Sequence, residues 1–277
     1  MTTGALRPYR AIVSARFRML LQYRAAALAG LWTQVFFGLT LIMIYEAFYR
    51  SSSAAVQPMA LPRLVSYVWL GQALLAMLPW NADSEVREMV RSGAIAYELA
   101  RPIDLYGLWY ARAVAQRTAP TLLRAAPMAV FASIALPLVG AGAWRLAPPP
   151  SLGAGAGFVA ALACALALGC AISVLVNISL MWTISGDGFV MLLSTAVSLL
   201  SGLIIPLPLF PGWAQPVLAW LPFAALFDLP FRIYAGHIAA SDLAIVLLRQ
   251  LGWTVVLVAL GRWLLGRGMR RVAVQGG

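Results

Sequence analysis

The sequence contains no lysine, one histidine (His237) and two cysteines, Cys164 and Cys170. Only nine of its 277 residues are acidic, and charged residues make up 10% of the chain. Soluble domains carry roughly 25%, so this composition excludes an ordinary soluble fold. No GxxxxGK[ST] phosphate loop occurs, which excludes nucleotide hydrolysis of that type by the chain itself. No HExxH motif and no Cys/His metal cluster occurs either. The two cysteines stand six apart in one apolar run and point in different directions on a helix, so they read as packing residues. Ser194, Ser198 and Ser201 have no base nearby and read as helix–helix hydrogen-bonders. Intramembrane acids are too few for a typical ion-coupled carrier, and no inverted repeat is evident.

What the chain has instead is apolar length. Some 62% of its residues are apolar, and several runs approach or exceed the roughly 18 residues of a spanning helix. The weak alternation of a membrane barrel is absent. Six spans are expected, at 25–48, 64–80, 118–139, 152–181, 189–207 and 243–265. The spacing Gly153-Ala154-Gly155-Ala156-Gly157 marks close helix packing. Arg249, early in the sixth run, either snorkels outward or faces the bundle interior.

Net charge is +11, and all twenty basic residues are arginine. They flank the apolar runs, so they read as topology determinants and lipid-headgroup contacts rather than a nucleic-acid surface. The N-terminal segment holds five, and the tail holds Arg262, Arg267, Arg270 and Arg271. The opposite loops hold Arg50, Arg63, Arg145 and Arg232. Both termini are therefore expected on the cytoplasmic side. The turn 182–188 has no arginine and is placed there by alternation alone. Before the first span, residues 9–23 alternate arginine with Ile12, Val13, Phe17, Leu20 and Leu21, the pattern of an amphipathic interfacial helix.

Between the second and third runs lies a polar island, 81–117. It holds five of the nine acids (Asp83, Glu85, Glu88, Glu98, Asp104) and five arginines (Arg87, Arg91, Arg101, Arg112, Arg117). Asp83 or Ser84 can cap a helix whose first turns carry Glu85 and Glu88. Val86, Met89 and Val90 form an apolar face. Gly93 breaks that helix. Ile95 and Leu99 share a face of a second piece, where Glu98 precedes Arg101 by three residues. Pro102 ends it. Ala94, Ile95, Ala96 and Tyr97 put small and apolar residues mid-loop, which favours a docking helix over a purely solvated loop.

After the fifth run, Pro206, Pro208, Pro211, Pro216, Pro222 and Pro230 interrupt an apolar segment. No straight span tolerates that density, and lipid does not tolerate exposed irregular backbone. The segment is expected to re-enter the outer leaflet as short helices near 212–221 and 223–234, shielded by other spans. Trp213 and Trp220 suit the interface. Asp228 and Arg232 are spaced to pair. Such an element lines a pathway or shapes its outer gate; Ser198, Gly202, Pro206, Pro208, Trp213, Pro222, Asp228 and Arg232 are its candidate residues.

Three stretches, in this order, resemble the membrane-spanning permease subunit of a bacterial type-2 ABC exporter, in the six-span branch without a fused ATPase. They are Ser92-Gly93-Ala94-Ile95-Ala96-Tyr97-Glu98-Leu99-Ala100-Arg101-Pro102, the run Ser201-Gly202-Leu203-Ile204-Ile205-Pro206 continuing through Leu221-Pro222-Phe223 to Gly236, and the tail ending Val274-Gln275-Gly276-Gly277. The resemblance implies an all-α polytopic membrane protein of the bacterial inner membrane. Residues 1–24 would form a cytoplasmic elbow helix and 25–277 one six-span permease domain. Within that domain, 81–117 would be a cytoplasmic coupling loop and 206–236 a re-entrant segment. Two permeases, identical or related, would pair above two soluble ATPase subunits, which carry the ATP and magnesium. No cofactor is expected on this chain, and it is not itself an enzyme. Glu85, Glu88, Arg91, Gly93, Ile95, Tyr97, Glu98, Leu99, Arg101 and Pro102 are the expected coupling residues. The family favours an amphipathic, lipid-like or drug-like substrate. A gradient-driven carrier and a non-transport membrane scaffold are the alternatives.

Overall fold

The computed structural model describes residues 6–51, 57–99, 101–182 and 187–275. Among them there is no strand. Four helices are long and apolar enough to cross a membrane: Leu28–Ser51, Leu105–Leu138, Leu152–Ser179 and Ala240–Arg270. The helices are α1 (Arg7–Leu21), α2 (Arg24–Ser51), α3 (Leu61–Leu74), α4 (Ser84–Arg91), α5 (Ile95–Leu99) and α6 (Leu105–Leu138). They continue as α7 (Leu152–Ser179), α8 (Asp187–Leu200), α9 (Ala214–Trp220), α10 (Asp228–Tyr234) and α11 (Leu243–Gln275).

Two of the expected spans contain only short α-helices. The 64–80 run is α3, 14 residues, plus one 3-10 turn at Leu75–Met77. The 189–207 run is α8, also 14 residues. It stops before Gly202, whose φ of +82° is a left-handed backbone that helices cannot continue through. The third is longer than read. It was expected from 118, but α6 starts at Leu105, where Asp104 accepts a 2.9 Å bond from Gly107 N as N-cap. Pro120 and Pro127 sit inside α6, and a π-turn follows at Phe131–Ala135. There the Ala132 carbonyl accepts from Leu146 N at 3.0 Å, satisfying the loop that follows. The last helix runs on from the expected end at 265 through the basic tail to Gln275; the side chains of 271–277 lie outside the described ones.

Helices α3, α6, α7 and α11 pack around a core that includes Tyr67, Trp69, Leu168, Phe227 and Phe231. A second apolar cluster closes the arginine-rich end, joining Val86 and Ile95 to Trp109, Ile178 and Leu265. Helix α1 packs along the start of α6. At the opposite end, Trp69 Nε1 donates to Trp144 O at 2.7 Å, and Trp144 Nε1 donates to Glu46 Oε2 at 2.9 Å. These bonds pin the 139–151 loop onto α2 and α3.

The proline-rich segment enters the bundle. Gln250 Nε2 donates to Ala161 O at 3.0 Å and to Ala225 O at 2.8 Å, and Gln250 is fully buried. Ala161 is nine residues into α7, about 13 Å along its axis, so Ala225 lies at that depth.

Candidate functional site

The arginine-rich end is built from Asp83 outward. Asp83 has extended backbone (φ −66°, ψ 120°), and its carboxylate accepts from Glu85 N at 2.9 Å, which starts α4. Asp83 N donates to Asn177 Oδ1 at 2.9 Å, fixing the cap to the end of α7. Arg112, projecting from the first turns of α6, puts Nε 3.3 Å from Asp83 Oδ2 and Nη2 2.5 Å from Glu85 Oε2. Gln116 Nε2 donates to Asp83 Oδ2 at 2.9 Å. Arg16 of α1 grips Glu85 with both terminal nitrogens, Nη1 at 2.7 Å from Oε1. The hydrogen bond from Arg16, reinforced by the charge of Arg112, holds the Glu85 carboxyl below its ordinary range against the desolvation that would raise it. Arg16 is held above its own ordinary value by the same bond. One carboxylate thus ties three helices together.

Arg117 lies one and a half turns further along α6 and is almost wholly buried. It donates to Leu78 O, to Asn81 Oδ1 at 3.2 Å and to Ser173 Oγ at 3.3 Å. Leu78 and Asn81 lie just past α3 and its 3-10 turn, where a helix C-terminal dipole favours a cation, and Ser173 is on α7.

The expected coupling residues divide into two sets. Val86 is fully buried, with Met89 and Val90 partly so, and the apolar face of α4 is turned onto α6, α7 and α11 rather than outward. Ile95 is buried in the same cluster, and Glu98, also buried, pairs with Arg101 at 3.2 Å. Glu85 is committed to its two arginines. Glu88, Arg91, Gly93, Tyr97, Arg101 and Pro102 are exposed, and Tyr97 is 79% exposed. The side chain of Leu99 lies outside the described ones. Gly93 has φ +75°, a left-handed C-cap to α4 that turns the chain into α5.

At the opposite end, Asp228 is fully buried. It accepts from Tyr67 Oη at 3.1 Å and Leu207 N at 3.2 Å, and its other oxygen lies 3.6 Å from Arg232 Nη1. Its own N donates to Ser201 O at 3.1 Å. Gly202 is buried beside it: a Cβ there would fall 2.6 Å from Tyr67 Oη. Pro206 leads into the turn that presents Leu207 N, and Pro208 O accepts from Gln215 Nε2 at 3.2 Å. Trp213 is 81% exposed at the periphery. Ser198 Oγ donates within its own helix, to Ser194 O at 2.7 Å. Pro222 alone of the eight lines an almost wholly apolar cavity of about 430 Å³ between α7, α8 and α11. Arg249, which the sequence left open, is half-buried with Nε and Nη2 lacking hydrogen-bond partners.

The sequence profile of a family described as "ABC-2 family transporter protein" matches residues 35–276. The chain belongs to the ABC-2 transporter family. No curated protein and no solved structure matches it. It is a type-2 ABC permease subunit, a multi-pass membrane protein of an ABC exporter.

Sequence reasoning missed the residues that hold the permease's polar end together. Arg16 was read only as part of an interfacial face. Arg112 and Gln116 were read as loop, although their four-residue spacing in a growing apolar helix was a signal. Asn177, a lone amide near the end of an apolar run, was a second one.

Proposed function

We propose that this ABC-2 permease forms the translocation pathway of an ATP-driven exporter and receives its driving motion through residues 84–102. The observation that carries this reading is the clamped patch at the arginine-rich end. Glu88, Arg91, Gly93, Tyr97, Arg101 and Pro102 face outward, while the buried Asp83 and the neighbouring Glu85 are bonded to α1, α6 and α7. A partner that pushes on α4 and α5 therefore moves α6 directly. Exposed aromatic and arginine residues are the usual anchors of such an interface. In this reading α4 and α5 form the coupling helix, α1 is the elbow, and six spans cross the bacterial inner membrane with both termini cytoplasmic. Helices α3 and α8 then cross with help from their flanking turns.

Two permeases pair, and two soluble ATPase subunits bind ATP and magnesium beneath them. The segment around Ala225 is the re-entrant element, supported by its depth beside Ala161. The apolar cavity bounded by Phe223 suits an amphipathic, lipid-like or drug-like substrate.

The test is co-purification with the ATPase encoded beside it, together with ATP-dependent export by the pair. Charge reversal at Arg91 and Arg101 is expected to reduce capture of the ATPase at least about tenfold, as losing one or two interface anchors does. Full capture and full export by that double variant would place the coupling surface elsewhere.

A further inference from the structure

A groove of about 710 Å³ lies between α1, the start of α6 and the end of α11. That size falls within the range of small-molecule sites. Its walls divide by chemistry. Leu6, just before α1, and Val13 and Phe17 of α1 form one apolar wall; Val114 and Val258 of the spanning helices form the other. Arg10, Ser14 and Arg18 recur every four residues along the α1 lip. Arg18 Nη2 donates to Ser14 Oγ at 2.9 Å, and neither Arg10 nor Arg18 has a carboxylate partner among the described residues. The one acid on the lip, Asp104, is neutralised by Arg262 at 2.9 Å. That arginine in turn stacks 5.0 Å from the Tyr106 ring. Two uncompensated cations therefore border an apolar groove that runs along membrane-spanning helices.

We propose that this groove binds an anionic phospholipid of the adjoining leaflet, the headgroup between Arg10 and Arg18 and an acyl chain against Val13, Phe17 and Val114. The chemistry matches on both counts. Guanidinium groups bond phosphate oxygens with charge assistance, and a chain on the inner wall covers apolar surface that water would otherwise meet. Because Arg16 of the same helix holds Glu85, an occupied groove also fixes α1 against α4. The site does not depend on the ATPase-coupling reading.

The experiment is native mass spectrometry of the full chain in neutral detergent. It would be titrated with phosphatidylglycerol, with phosphatidylcholine of matched chains, and with glycerol 3-phosphate. A single phosphatidylglycerol is expected to bind about thirtyfold more tightly than phosphatidylcholine, in line with two arginines near a membrane surface. Glycerol 3-phosphate is expected to leave no adduct. R10Q/R18Q should abolish the preference, and R145Q, at the opposite end, should keep it. Val13→Trp fills the groove while sparing both arginines and should also lower phosphatidylglycerol binding. Equal occupancy by the two lipids, or an unchanged preference in R10Q/R18Q, would overturn the proposal. Glycerol 3-phosphate binding as tightly as the lipid would overturn it too, leaving only a free-anion site.

Discussion

Glu85 is the residue whose environment most changes its meaning. In the sequence it is a helix-start acid, favoured by the dipole. In the folded chain it carries two arginines from separate helices, and its carboxyl is held below the ordinary range. A depressed carboxyl contributes stability that is fully present above the unfolded value of about 4.3. That contribution is lost as pH falls through the lower folded value. Glu85→Gln is therefore expected to lower the thermal midpoint at neutral pH, with the difference from the native chain closing only below about pH 4. Melting curves across pH 3–7 would check this; a difference constant over that range would detach the effect from ionisation. Two glycines separate strain from crowding. Both are left-handed, but nothing lies within 4 Å of a Cβ on Gly93, while one on Gly202 would strike Tyr67 Oη and Asp228 Cβ. Gly93→Ala should cost about 1–2 kcal/mol, the backbone penalty alone. Gly202→Ala should cost clearly more, read from the unfolding free energies of the purified variants.

At the scale of elements, α4 has two faces with different duties. Val86 is buried against Trp109 and its neighbours, and Tyr97 of the following α5 stands out in the open. Val86→Ala removes two buried methyl groups and should cost about 2 kcal/mol of stability. Tyr97→Ala should leave stability within about 0.5 kcal/mol, as surface substitutions do, yet weaken capture of the ATPase. Paired melting and co-purification assays would read the two effects apart. Loss of stability in Tyr97→Ala with full capture would reverse the assignment of faces. The boundary of α6 follows the same logic. Arg112 and Arg117 looked like loop residues because bare arginines are costly in a span. They are not bare: acids from α4's start and carbonyls beyond α3 satisfy them. Partners from distant sequence extended the helix thirteen residues toward the N-terminus, from 118 to 105.

For the whole molecule, the arginine asymmetry predicts a topology that labelling can read. A cysteine in place of Tyr97 should react with an impermeant maleimide only after the cells are opened, whereas one at Ala143 should react in intact cells. The native Cys164 and Cys170 are half-buried and buried in α7 and give a low background. Labelling of both positions from outside would break the two-sided arrangement on which the proposed function stands.

The sequence by itself determined the solvent and the punctuation. Apolar length placed the chain in a membrane. Asp83, Gly93 and Pro102 marked where α4 starts, where the chain turns into α5 and where that piece ends, because caps and breakers act through neighbours a few residues away. The spacing of Asp228 and Arg232 announced their pair for the same reason. Tertiary structure alone decided which face of each element meets protein and which stays free. An apolar stripe at helical period is equally suited to lipid, to a partner or to the chain's own core, and only packing chooses among them. That is why Val86 turned inward, why Glu85 and Asp228 acquired Arg16, Arg112 and Tyr67 as partners, and why a lipid-sized groove opened beside α1.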